Sequence, residues 1–299
     1  MIWECKGGVM IKNIKLAKKA GLYLVMLVLA LIFAFPFVIM FFTAFKSPAE
    51  LQQPYFTLLP KSFTPENFIG AMVTGNWPRY FFNSAFITVI TVILSLFLNS
   101  MAAYAFSRLE FPGRNALFTF SLIALMIPEQ VIMIPVFLRL KTIPFLGGNN
   151  WLGVGGTGLL NTYAGLIVPF VAHPFGVFLC RQSFMTFPKS LDEAAILDGC
   201  SRFRIFWNMY LPLSKPVLVT LGLLKAVTTW NQYTWPLILT NSDGMRTVQL
   251  ALSNFSTEFT TNWGYVMAAT TLILLPVMIL FLCLQKYYVS GIVASGIKG

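Results

Sequence analysis

Charge is what this sequence has least of. Asp, Glu, Lys and Arg make up 10% of its 299 residues, where an ordinary soluble domain carries roughly 25%. One histidine and four cysteines are too few for a metalloenzyme, and the cysteine spacing matches no zinc or redox pattern. No paired acids or nucleophile–base set appears, which argues against an enzyme. No Gly-x-x-x-x-Gly-Lys-Ser/Thr run occurs either, so the chain has no ATP-binding loop of its own. Gly153-Val154-Gly155-Gly156-Thr157-Gly158 does match the dinucleotide pattern. That pattern needs a strand before it and a phosphate-binding helix after it, and here it falls in a glycine-rich connection between apolar runs.

What the chain has instead is apolar residues, 57% of the total, bunched rather than periodic. Runs at 22–42, 81–106, 116–138, 163–184, 216–239 and 264–284 each reach the roughly 20 residues with which a helix crosses about 30 Å of hydrocarbon. The reading is an all-α membrane protein with six transmembrane helices in a single domain, 1–299, with lipid around it. Pro36, Pro128, Pro135, Pro169, Pro174 and Pro276 lie inside or beside these runs. Prolines survive there where neighbours or water satisfy the freed backbone groups, as in a bundle around a pathway, though simple kinks also account for them. The stretch between the first two runs is polar, with five prolines, and reads as an ordered extracytoplasmic loop.

The net charge of +11 is not gathered into a patch that would bind nucleic acid. With the N-terminus inside, fourteen of the twenty-one Lys and Arg fall on the cytoplasmic side and six outside, with Lys225 inside the fifth run. That bias predicts cytoplasmic termini. Cys5, Cys180, Cys200 and Cys283 then all lie on or near the cytoplasmic side, as free thiols. Met10 opens a basic stretch leading into the first run, so a start at Met10 rather than Met1 is an alternative reading of the N-terminus.

The longest cytoplasmic connection, 185–215, carries a pattern. Ser190 and Glu193 stand at capping-box spacing, Asp192 and Glu193 suit a helix N-terminus, and Gly199 can end the helix left-handed. Phe203, Phe206, Trp207, Tyr210 and Leu211 then recur at helical spacing as an aromatic face. By physics alone this pair of helices either lies on the membrane or docks into a groove of a soluble partner. Glu193-Ala194-Ala195, Gly199, Met209 and Leu211-Pro212 resemble the EAA loop of ABC importer permeases, with Met209 where that pattern usually has Ile. Trp230-Asn231-Gln232-Tyr233-Thr234-Trp235-Pro236-Leu237, Pro65-Glu66-Asn67-Phe68 and the run from Gln285 to Gly299 are similar to the carbohydrate branch, MalG-like permeases. The resemblance implies a type I ABC importer permease fold in the bacterial inner membrane and a sugar as cargo. It implies as partners a second homologous permease in a heterodimer, two ATPase subunits that bind the ATP and Mg, and an extracytoplasmic solute-binding protein. It also implies that Glu193, Ala194, Ala195, Asp198, Gly199, Leu211 and Pro212 couple to the ATPase.

A sugar pathway needs aromatic faces beside amides and hydroxyls. Thr228, Asn231 and Trp235 stand at i, i+3 and i+7, which places them on one face of an unbroken fifth helix, with Trp230 and Gln232 beside it. Glu129 and Lys225 are intramembrane charges, which are costly and rare. Glu129 is a further pathway candidate, and an ion pair with Lys225 is one option for it. His173 reads as a hydrogen-bonded packing residue. The rival readings are a glycerol 3-phosphate importer of the same architecture and an ion-coupled secondary transporter. The latter would need more intramembrane acids than this chain has.

Overall fold

The computed structural model describes residues 4–256 and 260–296, with side chains over 18–256 and 260–285. Met1, the side chains of Met10, Cys5, Lys6, Lys12 and Lys15, and the C-terminal motif from Lys286 onward lie outside the described residues or side chains. The described chain is helical throughout, and its nearest approach to a strand is an isolated bridge between Ser256 and Thr261. Three segments are long and apolar enough to cross a membrane: Lys18–Ala44, Trp77–Arg108 and Trp263–Gln285. Three bent helix pairs bring the number to six if each is one span. Cys180, Cys200 and Cys283 are free.

Two compact units are distinguishable, 1–74 with 255–272, and 75–254 with 273–299. In the first, the long helix Glu4–Ala44 runs beyond the expected 22–42, and its apolar residues from 22 to 37 are exposed all round, as in a helix surrounded by hydrocarbon. The following loop is ordered, as its prolines suggest. Asn67 donates to the carbonyls of Ala44 and Lys46 at 3.0 and 2.6 Å, and buried Glu50 accepts from Thr57 and from the Lys61 amide at 3.0 and 3.1 Å.

The second unit is organised around Trp77–Arg108, the second span, which packs most extensively against Pro174–Met185 and Lys215–Trp230. Two of the runs are broken as helices, the third at Pro128, where its prolines imply a break, and the fifth without such a signal. The run 116–138 folds into Arg114–Met126 and Glu129–Lys141, bent by 105°; Pro128 between them lacks an N–H and restricts the residue before it. The run 216–239 stops as a helix at Trp230 and restarts at Thr234. The fourth run also bends, by 45°, between Tyr163–Phe170 and Pro174–Met185.

Breaks inside a span leave backbone groups without helical partners, and in hydrocarbon each must be satisfied internally. Asparagines supply the partners. Buried Asn99 accepts from the His173 amide at 3.0 Å and donates to the Val171 carbonyl at 3.4 Å and to Ser95 Oγ at 2.7 Å. Asn83 donates to the carbonyls of Gly244 and Arg246 at 2.9 and 2.8 Å and accepts from the Tyr163 hydroxyl at 2.6 Å. Asn161, itself at φ +56°, accepts from the amides of Asn241 and Ser242, both at 3.2 Å.

The Gly153–Gly158 stretch has neither the strand nor the helix that nucleotide binding needs. It folds back on the preceding residues. Asn149 bridges the Lys141 and Ile143 carbonyls and the Gly156 amide at 2.8 to 2.9 Å. A Cβ on Gly156 would run into the backbone of residues 147–149, so this glycine is there for close approach.

Candidate functional site

Lys189–Leu197 is the first helix of the pair expected in the connection 185–215. It begins two residues earlier than expected, with Pro188 rather than Ser190 at the cap and no side-chain capping bond. Ser190 is thus inside the first turn, and the capping box with Glu193 is not formed. At the other end, Gly199 takes φ +75°, its amide bonds the Ile196 carbonyl and the Cys200 amide bonds that of Ala195, both at 2.9 Å. This is a Schellman ending, as the glycine implied. Ser201 then caps the second helix through the Arg204 amide at 3.3 Å.

The second helix, Arg202–Leu213, contains a π-helical turn at Phe206–Tyr210. The extra residue of a π turn shifts side-chain register, so the expected single aromatic face divides. Phe206 and Tyr210 are buried, in the cluster with Tyr104, Cys180, Phe184 and Ile205. Phe203 and Trp207 stay exposed and stack on each other at 6.2 Å.

Asp192 does more than answer the helix dipole. Its side chain turns inward, 3.4 Å from Arg108 at the end of the second span, with side-chain exposures of 11% and 6%. It accepts the Tyr210 hydroxyl at 2.7 Å. Arg108 also donates to the carbonyls of Phe184 and Phe187, both at 2.6 Å, and its guanidinium lies 5.3 Å from the centre of the Tyr210 ring. Burial, and then the bond to Asp192, push the Tyr210 phenol well above its ordinary value. The sign follows: the protonated donor is favoured in the fold, so its stabilisation is complete below the unfolded value near 10 and is lost only as pH rises through the folded value. The network is therefore intact at any physiological pH.

Of the residues implied to couple, Glu193, Ala194, Asp198 and Gly199 are exposed, together with Ile196 and Leu197, the latter 88% exposed. Ala195 is buried against the chain's own core, Leu211 packs on that core and Pro212 is exposed. Arg108 and Tyr210, which hold this helix, were not singled out by the sequence reading. A basic residue closing a span looked like one more positive-inside charge.

A second feature is a cavity of about 540 Å³ in the same unit, within the roughly 300–1,000 Å³ of small-molecule sites. Glu129, Thr228, Gln232 and Trp235 line it, with His173 and Lys225. Glu129 opens its helix directly after the 105° bend, and one of its carboxylate oxygens accepts from the Trp235 indole N–H and from Gln232 at 3.4 Å. Because the fifth run breaks after Trp230, the expected common face of Thr228, Asn231 and Trp235 does not exist. Asn231 accepts from Gln249 at 3.0 Å, and Trp230 is buried beside Phe81 with its indole N–H on the Ile273 carbonyl at 3.1 Å. Neither lines the cavity. The Glu129–Lys225 ion pair is not formed: the ion pairs among the described residues are Arg108–Asp192 and Arg246–Asp243. His173, whose backbone amide is hydrogen-bonded to Asn99, is among the residues that line the cavity.

A helical chain with apolar segments of spanning length and a cavity in which a few polar side chains meet fits a multi-pass membrane protein. Residues 95–293 match the model of the binding-protein-dependent transport system inner membrane component family, and the chain belongs to that family. It is 36% identical over 268 residues to the probable ABC transporter permease protein YurM of Bacillus subtilis (strain 168), covering 89% of this chain and 84% of YurM. It is 33% identical over 274 residues to the arabinooligosaccharides transport system permease protein AraQ of Halalkalibacterium halodurans, covering 91% and 93%. Its fold is similar, with a TM-score of 0.74, 26% identity and coverage of 93% and 97%, to a chain in the crystal structure of a bacterial ABC transporter involved in the import of the acidic polysaccharide alginate.

Proposed function

We propose that this chain is a permease subunit of an ATP-driven importer that carries a sugar, a di- or oligosaccharide, handed over by an extracytoplasmic binding protein. The observation that carries the reading is the helix pair at 189–213. A Schellman turn and the Arg108–Asp192–Tyr210 network fix it to the end of a span, while Glu193, Ile196, Leu197 and Asp198 are presented outward. A rigidly mounted helix with an exposed apolar and acidic face suits docking into a groove of a soluble subunit. The relatives that carry arabinooligosaccharides and alginate support a sugar as cargo.

In this reading the fold is the type I importer arrangement, with six spans and both termini in the cytoplasm of a bacterial cell whose inner membrane holds the chain. A second, homologous permease completes the translocation path. Two ATPase subunits bind ATP and Mg, so the chain itself catalyses nothing, and their closure moves the docked helix and rocks the spans between outward- and inward-facing states. The cavity residues Glu129, Thr228, Gln232 and Trp235 face the passing sugar.

Gentle purification of the tagged chain from its native membrane, followed by mass spectrometry of the complex, tests the assembly. A second permease and two copies of an ATPase are expected; a chain recovered alone or as a homo-oligomer would overturn the reading. The turn gives a sharper test. A Cβ at Gly199 would meet nothing within 4 Å, so Gly199→Val costs only the left-handed backbone, about 1–2 kcal/mol. The variant is expected to fold and assemble but to hydrolyse ATP without importing sugar in proportion. A wild-type ratio of sugar imported to ATP hydrolysed would remove Gly199 from the coupling.

A further inference from the structure

The cavity holds two intramembrane charges, and they are answered unequally. The Glu129 carboxylate has two donors, the Trp235 indole and the Gln232 amide, both on the same oxygen. The Lys225 ammonium, lining the same cavity from the helix Lys215–Trp230, makes no hydrogen bond and no ion pair with any described residue. His173 stands beside the cavity too, its ring unbonded and its backbone amide fixed by Asn99. A lysine kept inside a spanning segment is costly unless something anionic meets it. The chain supplies nothing at hydrogen-bonding distance.

We propose that the counter-ion is the substrate: the cavity binds a carbohydrate carrying an anionic group, whose charge lies on Lys225 while its hydroxyls reach His173, Glu129, Gln232 and Thr228. The inference rests on the importer reading above and adds the class of cargo. The Lys225 ammonium offers three donors and the Glu129 carboxylate a free oxygen, so the cavity has a cationic pole and an accepting pole. A neutral sugar can meet the ammonium only with hydroxyl oxygens, which hydrogen-bond it but leave its charge without a counter-ion. An acidic sugar satisfies both. The anion is a uronic-acid carboxylate or a phosphate monoester, since either accepts charge-assisted hydrogen bonds from an ammonium.

Cells lacking this chain and cells complemented with it would be grown on one mixture of maltose, neutral oligosaccharides, digalacturonate and glycerol 3-phosphate. Mass spectrometry of the spent medium shows what the deletion strain leaves behind. Retention of digalacturonate, with maltose and the neutral oligosaccharides consumed equally, is the expected result. Glycerol 3-phosphate alone would keep the anion site and remove the sugar. Lys225→Met is expected to reduce uptake of the retained compound roughly tenfold or more, and Lys225→Arg to restore most of it, with both variants checked for copurification of the partner subunits. If Lys225→Met fails to assemble, the deletion and Lys225→Arg strains still decide. Retention of neutral sugars only would overturn the anionic site and leave the importer standing. Equal consumption of every compound by both strains would overturn the sugar-importer reading itself.

Discussion

Arg108→Ala should destabilise the chain by roughly 3–5 kcal/mol, the cost of removing one partner from a buried ion pair, and should abolish uptake. The size follows from what the guanidinium leaves behind. Asp192 would keep a buried charge with one remaining donor, the Tyr210 hydroxyl, and its other oxygen already has no hydrogen-bond partner. The carbonyls of Phe184 and Phe187, at the end of the helix Pro174–Met185, would lose their cation as well. Arg108 thus joins the helices Trp77–Arg108, Pro174–Met185 and Lys189–Leu197 through one planar group. Arg108→Lys is expected to recover only part of the loss, because an ammonium is not a planar fork.

Stability and coupling can be separated. Replacing both partners together, Arg108→Met with Asp192→Leu, removes the buried charges and is expected to restore most of the lost stability. If the network also transmits the movement of the docked helix to the second span, this double variant should still uncouple ATP hydrolysis from uptake. Thermal melting of the detergent-purified complex reads the first quantity and ATP hydrolysed per sugar imported the second. A double variant that imports as the wild type does would reduce the network to a structural brace. Tyr210→Phe, which deletes one hydroxyl, is expected to cost about 1–3 kcal/mol, since the bond it removes is to a charged group.

Much of this fold was legible because its determinants are local. The spans at 22–42, 81–106 and 264–284 are continuous apolar runs, and the corresponding helices extend past each of them. Gly199 marked a helix end that the backbone makes at φ +75°. The failures share a different cause. Reading Thr228, Asn231 and Trp235 as one face assumed a helix that continues through residues 231–233, and a break cancels the periodicity on which any face depends. The cavity was visible only in part. Glu129, Gln232 and Trp235 stood out as polar or amphipathic residues in apolar runs, but their meeting depends on the bend at Pro128, which brings together residues 106 apart. The pairing that charge alone suggested, Glu129 with Lys225, lost to an indole and an amide. Asp192 and Arg108 were misread for the same reason: each has an adequate local explanation, as a dipole partner or a positive-inside charge, and their contact is tertiary.

Asn99→Leu carries the other large expectation, a loss of about 2–6 kcal/mol, from two backbone groups orphaned at roughly 1–3 kcal/mol each. Leucine keeps the branching and heavy-atom count of asparagine but is larger, so overpacking at this buried site adds to the loss of the amide. Between the helical turn ending at Phe170 and the helix starting at Pro174 the chain is not helical, so the His173 N–H and the Val171 carbonyl have no helical partner there. Asn99 serves both. A Cβ at Gly176 would sit 2.9 Å from the Asn99 amide nitrogen, so a glycine is needed for that amide to reach the break. Thr220→Ala is a fair control, because the Thr220 hydroxyl bonds only a carbonyl of its own helix, that of Pro216 at 3.0 Å. Equal melting temperatures for the two variants would show that the break is satisfied in another way. The consequence also reaches the cavity. His173 is held there through its backbone by Asn99, so loosening the break displaces a side chain that lines the cavity, and uptake is expected to fall even where the Asn99→Leu complex still assembles.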